Sequence, residues 1–270
     1  MDKLISVIIP TYNRPEKTAR AVQSVNCARP HLVEIIVVDD CSTTPYLYGA
    51  SHNAGAIPVR SVRLARNSGP GIARRAGVAN AEGQYIAFLD SDDCYNENWI
   101  DHVIVILEST QWPKGQRLMI SGKTEGENAV GGAVRKMLST LPVSLRLMAA
   151  RMVAVFFNPF YTPSIVMDKQ LCQFKDGLRY CEDFFSTTTA LFNADFLELP
   201  NIIACQLNRQ PNSVGGLSAA RKKMFSGEME VRRSMLSLPH LPWAYKALVP
   251  LGMVYQLART AIKRVLRKSK

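Results

Sequence analysis

Apolar residues in the first hundred positions come in short dense runs, separated by polar stretches with helical spacing. Leu4–Ile9 reads as an apolar strand, Glu34–Val38 as a second, β-branched one, Val59–Leu64 as a third, shorter candidate, and Tyr85–Leu89 as a buried strand. Between them, Glu16–Val25 sets Ala19, Val22 and Val25 at helical intervals, and Asn67–Gly69 opens a helix that runs through Ala81. Trp99–Leu107 predicts another helix. Strands alternating with helices imply βαβ units and a mostly parallel sheet, an α/β architecture. Pro10–Pro15 is a breaker-rich loop after the first strand.

Further along, Gly115–Gly132 is rich in glycine and poor in apolar residues, and is expected to be a flexible connection or a lid. Ser144–Phe157 reads as a helix or strand packed on the core. Ser164–Met167 is a short strand, Cys181–Asn193 a helix that opens with two acids, and Ile202–Leu207 a last strand. Beyond Arg209 the pattern is helical and basic. There are no internal repeats.

Charge changes this picture. Basic and acidic residues balance at 20 each through Asn208, whereas the last 62 positions hold 13 basic and 2 acidic residues. The whole excess of +11 is therefore segregated in the tail, which points to a polyanionic surface partner, either nucleic acid or anionic lipid, rather than to general solubility. Val254–Lys270 sets Val254, Leu257, Ala258, Ala261, Ile262, Val265 and Leu266 on one face, beside Arg259, Lys263, Arg264, Arg267 and Lys268. That is the pattern of an interfacial amphipathic helix; an ordinary surface helix packing on its own domain shares it. Trp243–Leu257 carries Lys246, Gln256 and Pro250, and is too short and interrupted to span a bilayer. Six scattered cysteines without metal-ligand spacing read as reduced thiols of a cytosolic compartment. The chain enters a strand at once, so no secretory signal is expected.

The candidate chemistry lies at strand ends, where α/β sheets bind ligands. Tyr85–Leu89 runs into Asp90-Ser91-Asp92-Asp93. Crowded carboxylates repel one another, so they suit a divalent cation such as Mg²⁺ or Mn²⁺ holding substrate phosphates. An acidic turn with Asp92 or Asp93 as helix N-cap is the plainer alternative. Thr11-Tyr12-Asn13 and Asp39-Asp40 end two other strands, where a ring can stack on a base and a carboxylate can accept from a base N–H or a ribose hydroxyl. Helix entry at Asn13–Pro15 and a plain turn at Asp39–Thr43 are the corresponding alternatives. Asn67–Gly77 adds a glycine-bearing helix start with Arg74 and Arg75, groups that favour phosphate, but it is not a P-loop.

Taken together, Ile5–Asn13, Val37–Ser42, Asn67–Gly69, Ala73–Gly77 and Phe88–Asp93 resemble the inverting glycosyltransferases of family 2, with the GT-A fold. The resemblance is strong over about residues 4–100 and patchier to about 215. It implies a nucleotide-sugar donor, most often a UDP-sugar, with Thr11, Tyr12, Asn13 and one or both of Asp39 and Asp40 at the nucleotide. It also implies Arg74 near the nucleotide and its diphosphate, Asp92 and Asp90 as the residues at Mg²⁺ or Mn²⁺ with Asp92 the direct ligand and Asp90 nearer ribose and sugar, and Ser91 among the donor-binding residues. Tyr180–Phe184 looks like the family's Glu-Asp motif, which makes Asp183 the general base with Glu182 beside it. Read without the family, those two acids suit a helix's first turn. Arg75 stands where the family often has Asn, and Cys41 where it commonly has Gly, an exchange that a negative φ would accommodate. The signature of processive synthases is missing after the Glu-Asp motif, which favours transfer of one sugar per acceptor.

The resulting expectation is a GT-A domain over 1–215, with a nucleotide-sugar half (1–110) and an acceptor half (111–215), followed by a basic helical extension (216–270). The acceptor implied is a lipid-linked or surface-polysaccharide hydroxyl, at the cytoplasmic face of a bacterial inner membrane, with no nucleic-acid partner. Sugar-phosphate nucleotidyl transfer is a competing reading, weakened by a first loop that has one arginine and no glycine. A non-enzymatic membrane- or nucleic-acid-binding protein would explain the basic tail alone.

Overall fold

The computed structural model describes residues 3–45, 57–109, 117–125, 129–206 and 220–268. Among the described residues, eight strands form one sheet in the order β3-β2-β1-β4-β7-β6-β8-β5. They are β1 (Ile5–Thr11), β2 (Val33–Asp39), β3 (Val59–Arg63), β4 (Tyr85–Phe88), β5 (Cys94–Tyr95), β6 (Leu118–Glu125), β7 (Ile165–Asp168) and β8 (Asp195–Gln206). The helices are α1 (Pro15–Ser24), α2 (Pro70–Asn80), α3 (Trp99–Glu108), α4 (Ala129–Thr140), α5 (Val143–Phe156), α6 (Glu182–Asn193), α7 (Arg221–Ser237) and α8 (Trp243–Lys268). β1 through β4 pair in parallel, as do β6 and β8; β7 runs antiparallel between β4 and β6, and β5 antiparallel to β8.

Alternation along the strands divides the interior in two, as the period of two requires. Ile5, Val7, Ile9, Val33, Ile35 and Val37 meet Ala21 and Val22 of α1 and Trp99 and Val103 of α3. Ile8, Ile36, Val38, Ile86 and Phe88 point the other way, to Ala73 of α2, Ala154 of α5 and Ala190 and Leu191 of α6. Full burial on both faces explains why these strands read as continuous apolar runs.

The segment 115–132 departs from expectation. Leu118–Glu125 is an interior strand, with Leu118, Met119, Ile120 and Ser121 buried, and Ala129–Thr140 is a helix. Residues 115, 116 and 126–128 lie outside the described residues. Gly122 is there for space: a Cβ would stand 2.7 Å from the Trp99 ring. A glycine that permits close packing in a strand mimics a breaker in the sequence. No lid is formed by 118–125.

The C-terminal helices are packed on the domain. α7 and α8 contact each other, α7 contacts α6 and α8 contacts α5. Arg232 is fully buried among them. Its guanidinium donates to the carbonyls of Glu228 (2.9 Å) and Phe156 and lies 5.5 Å from the centre of the Phe184 ring. Gly252 lets α8 approach the Val155 carbonyl, which a Cβ would meet at 2.6 Å. Pro250 lies inside α8 without ending it. No helix among the described residues is long and apolar enough to cross a membrane.

Candidate functional site

Parallel register brings three strand ends to one edge of the sheet. Thr11 is level with Asp39, and Ile8 with Phe88, so that the Leu89 N–H donates to the Ile8 carbonyl at 3.0 Å. The loops beyond these ends are joined by polar contacts. Asn13 adopts a φ of +52°, a region Asn tolerates. Its N–H donates to Ser42 Oγ (2.9 Å), and its Oδ1 accepts from the Thr43 N–H (2.8 Å). Thr11 Oγ1 is 2.6 Å from Thr18 Oγ1.

Both residues of the Asp39-Asp40 pair are buried. Asp39 accepts from the Ser42 N–H at 2.8 Å and from Arg63 at 2.7 Å. Asp40 accepts from the N–H groups of Ser68 (2.7 Å) and Gly69 (2.8 Å), fixing the turn that enters α2. Cys41 has a φ of +63°, so the negative φ that would excuse a cysteine there is absent. The backbone keeps the left-handed turn that suits glycine, at a cost of about 1–2 kcal/mol. Tyr12 stands at the rim with its side chain 45% exposed, free for a planar ligand to stack on.

At the centre lies Arg74, buried on α2. It donates to Asp90 at 2.6 Å and to Glu182 at 2.6 Å, joining the end of β4 to the start of α6. Gly71, one turn earlier, makes room, since a Cβ there would come within 2.6 Å of Glu182 Cγ. Burial disfavours the Arg74 charge, but Asp90, Glu182 and Asp183 outweigh it and hold the guanidinium protonated. Burial and the neighbouring Asp183 charge push Glu182 up to about 7, with Arg74 opposing them. Asp183 is half-buried in the first turn of α6 and accepts from Thr162 Oγ1 at 3.3 Å. Arg75, by contrast, reaches outward to Asp176 and stands away from these carboxylates.

Asp90 and Asp92 are each about one third exposed, and Arg14 donates to Asp92 at 2.8 Å. Ser91 is buried between them. Among the described residues no three His, Cys, Asp or Glu side chains converge as a complete metal cage. Two accessible hard-oxygen donors nevertheless fit Mg²⁺ or Mn²⁺, which commonly take one or two carboxylates and fill their octahedron from water and substrate phosphates.

The sequence-predicted residues thus share one edge of the sheet. Arg14, Arg63 and Thr162 were missed as participants. Arg14 sits in the loop already singled out, whereas Thr162 lies in a segment with no signal of its own, the short 3-10 turn Thr162–Ser164 that leads into β7.

Residues 6–128 match the family model described as Glycosyl transferase family 2. Succinoglycan biosynthesis protein ExoO of Rhizobium meliloti is 43% identical over 94 residues, 33% of this chain and 25% of that protein. Poly(ribitol-phosphate) beta-N-acetylglucosaminyltransferase TarS of Staphylococcus aureus is 27% identical over 195 residues, 70% of this chain and 33% of TarS. The chain therefore spans about a quarter to a third of these relatives. The structure of TarS 1-349 in complex with UDP-GlcNAc superposes with a TM-score of 0.67 at 20% identity, covering 94% of this chain and 72% of that one. Mannosyltransferase PcManGT from Pyrobaculum calidifontis, in complex with GDP-Man and Mn²⁺, gives 0.62 at 15% identity, covering 98% and 76%. The fold is that of the GT-A glycosyltransferases.

Proposed function

We propose, from the premise that residues 6–128 form a glycosyl transferase family 2 domain, that this protein moves one sugar from a nucleotide-sugar to an acceptor hydroxyl with inversion. The observation that carries the reading is Arg74, which donates at 2.6 Å to both Asp90, at the end of β4, and Glu182, the neighbour in sequence of Asp183. In this reading the acceptor oxygen attacks the anomeric carbon while its proton passes to the Asp183 carboxylate as general base. The bond from that carbon to the diphosphate oxygen breaks, and the nucleoside diphosphate leaves with the electron pair. Direct displacement with Asp183 taking only the proton inverts the carbon. Asp92 and Asp90 would hold Mg²⁺ or Mn²⁺, which when bound supplies Lewis-acid neutralisation of charge on the diphosphate.

Tyr12 supplies the exposed ring for the base, and Thr11, Asn13, Asp39 and Asp40 shape the loops around it. The TarS complex, with UDP-GlcNAc, supports a UDP-sugar as donor. The relatives' names, succinoglycan biosynthesis and poly(ribitol-phosphate) N-acetylglucosaminyl transfer, support a polymer acceptor. In this reading it is a surface-polysaccharide or lipid-linked hydroxyl met at the cytoplasmic face of the inner membrane. The family domain favours this reading over nucleotidyl transfer and over a binding-only protein.

The test incubates the full chain with UDP-, GDP- and dTDP-sugars and Mg²⁺, Mn²⁺ or EDTA, and measures released nucleoside diphosphate. Metal-dependent release from one donor, lost in Asp92→Ala, is expected. A folded protein that binds and cleaves none of them contradicts the proposal.

A further inference from the structure

Two stretches of this chain combine exposed apolar side chains with a complete lack of acids. From Ala129 to Met167, which includes α4 and α5, there is no Asp or Glu, and there is none in Trp243–Lys268. On α5, Leu145, Met148 and Met152 are exposed. On α8, Trp243, Leu251, Val254, Leu257 and Ile262 are exposed, Trp243 at 82%. Ordinary surface helices place charges of both signs on such a face.

The two rows adjoin. Met148, Met152 and Val155 follow at helical intervals of four and three, so they share one face of α5. Val155 is fully buried, and its carbonyl faces Gly252 of α8. One turn further, the Phe156 and Tyr255 rings meet edge to face at 6.0 Å. The α5 row therefore emerges from beneath α8, and its apolar surface continues into that helix. Arg146 and Arg151 of α5 turn inward, capping the carbonyls of Ser139 and Leu141 and of Leu191 and Ala194. That leaves the exposed α5 row without charge, and the cations come from α8.

We infer that the exposed faces of α5 and α8 together form a docking surface for an anionic lipid bilayer. Three features select a bilayer over a second copy or another protein. The sequences of α5 and α8 hold no acid with which to pair a partner's cations, while every charged residue in the sequence of α8 (Lys246, Arg259, Lys263, Arg264, Arg267 and Lys268) is basic. Trp243 stands at one end of the row, the residue type that settles at a membrane–water boundary. With 26 residues, α8 is about 39 Å long, a span suited to lying flat in the headgroup region with its apolar side inserted. The structure thus extends a one-helix amphipathic tail to a two-helix platform held rigid by Arg232. This inference stands on packing and charge and does not depend on the transferase reading.

The test uses the full chain with vesicles of phosphatidylcholine alone or with 30% phosphatidylglycerol, read by co-sedimentation and by Trp243 emission against a Trp243→Phe control. Binding to the anionic vesicles only, weakened at least tenfold by 0.5 M salt, with a blue shift that Trp243→Phe abolishes, is expected. Met148→Glu/Met152→Glu and Val254→Glu/Leu257→Glu should each reduce partition about tenfold or more. These positions are exposed, so unfolding temperature and nucleotide-sugar binding should be unchanged. Failure to bind anionic vesicles overturns the inference. So does full retention of binding in the α5 pair, or a dimer in light scattering that the same variants dissociate without any vesicle binding by the parent protein.

Discussion

Arg74 and Glu182, 108 positions apart, meet at 2.6 Å with both side chains almost wholly buried. The same guanidinium holds Asp90 at 2.6 Å. One cation therefore couples the strand end assigned to the donor with the helix start that carries Asp183.

Removing Arg74 strands a buried carboxylate, a change that costs about 3–5 kcal/mol when a buried pair loses one partner. Arg74→Ala should lower stability by that amount in denaturant unfolding and abolish donor turnover. Arg74→Lys keeps the charge but lacks the fork that serves two carboxylates, so it should fall between the two. Full activity in Arg74→Ala would contradict the coupling.

Glu182 makes stability depend on pH in a defined direction. Burial and the Asp183 charge raise it from 4.5 to about 7. The folded protein then holds this proton more tightly than the unfolded chain does. Its contribution is most favourable below about 4.5 and declines as pH rises to about 7, by an amount on the order of 3 kcal/mol. Glu182→Gln should remove that decline, seen as a flatter unfolding temperature between pH 5 and pH 7.5. Parallel curves for the two proteins would contradict the assignment.

Arg14 and Asp92, each about one third exposed, form an ion pair at 2.8 Å, worth about 1 kcal/mol or less. A cation bound by Asp92 has to compete with it. Arg14→Ala should therefore tighten Mn²⁺ binding up to about fivefold, measured by electron paramagnetic resonance without donor, while leaving unfolding temperature nearly unchanged. Weaker Mn²⁺ binding would show that Arg14 supports the site instead of competing for it.

Much of this arrangement was legible in the sequence, for a physical reason. β1, β2 and β4 are buried on both faces and their polar ends are sharply marked, so strand and site appear together in Thr11–Asn13, Asp39-Asp40 and Asp90–Asp93. β6 was obscured because Gly122, which Trp99 demands, looks like a turn residue. β5 has two residues and too little pattern to register. The Arg74–Glu182 and Arg14–Asp92 pairs join distant segments, and no local spacing encodes them. Arg232 reads as one more cation in a basic tail, yet it is the buried post on which α5, α7 and α8 meet.

Cys41 offers a test of backbone strain. At a φ of +63°, replacement by glycine relieves the left-handed penalty and gives back part of it as chain entropy. Cys41→Gly should stabilise the protein by about 1 kcal/mol, raising the unfolding temperature by about 2–4 °C. A lower unfolding temperature would mean that the thiol, 3.7 Å from the Ala65 carbonyl, contributes more than the strain costs.

The central claim is that Asp183 takes the acceptor's proton. The most direct measurement compares Asp183→Asn with the parent protein in donor binding by calorimetry and in single-turnover transfer. The predicted result is unchanged affinity for the nucleotide-sugar and its metal, with transfer slowed about 10²–10⁴-fold. Transfer at the parent rate would contradict the role of Asp183 and move the search for the base to Glu182.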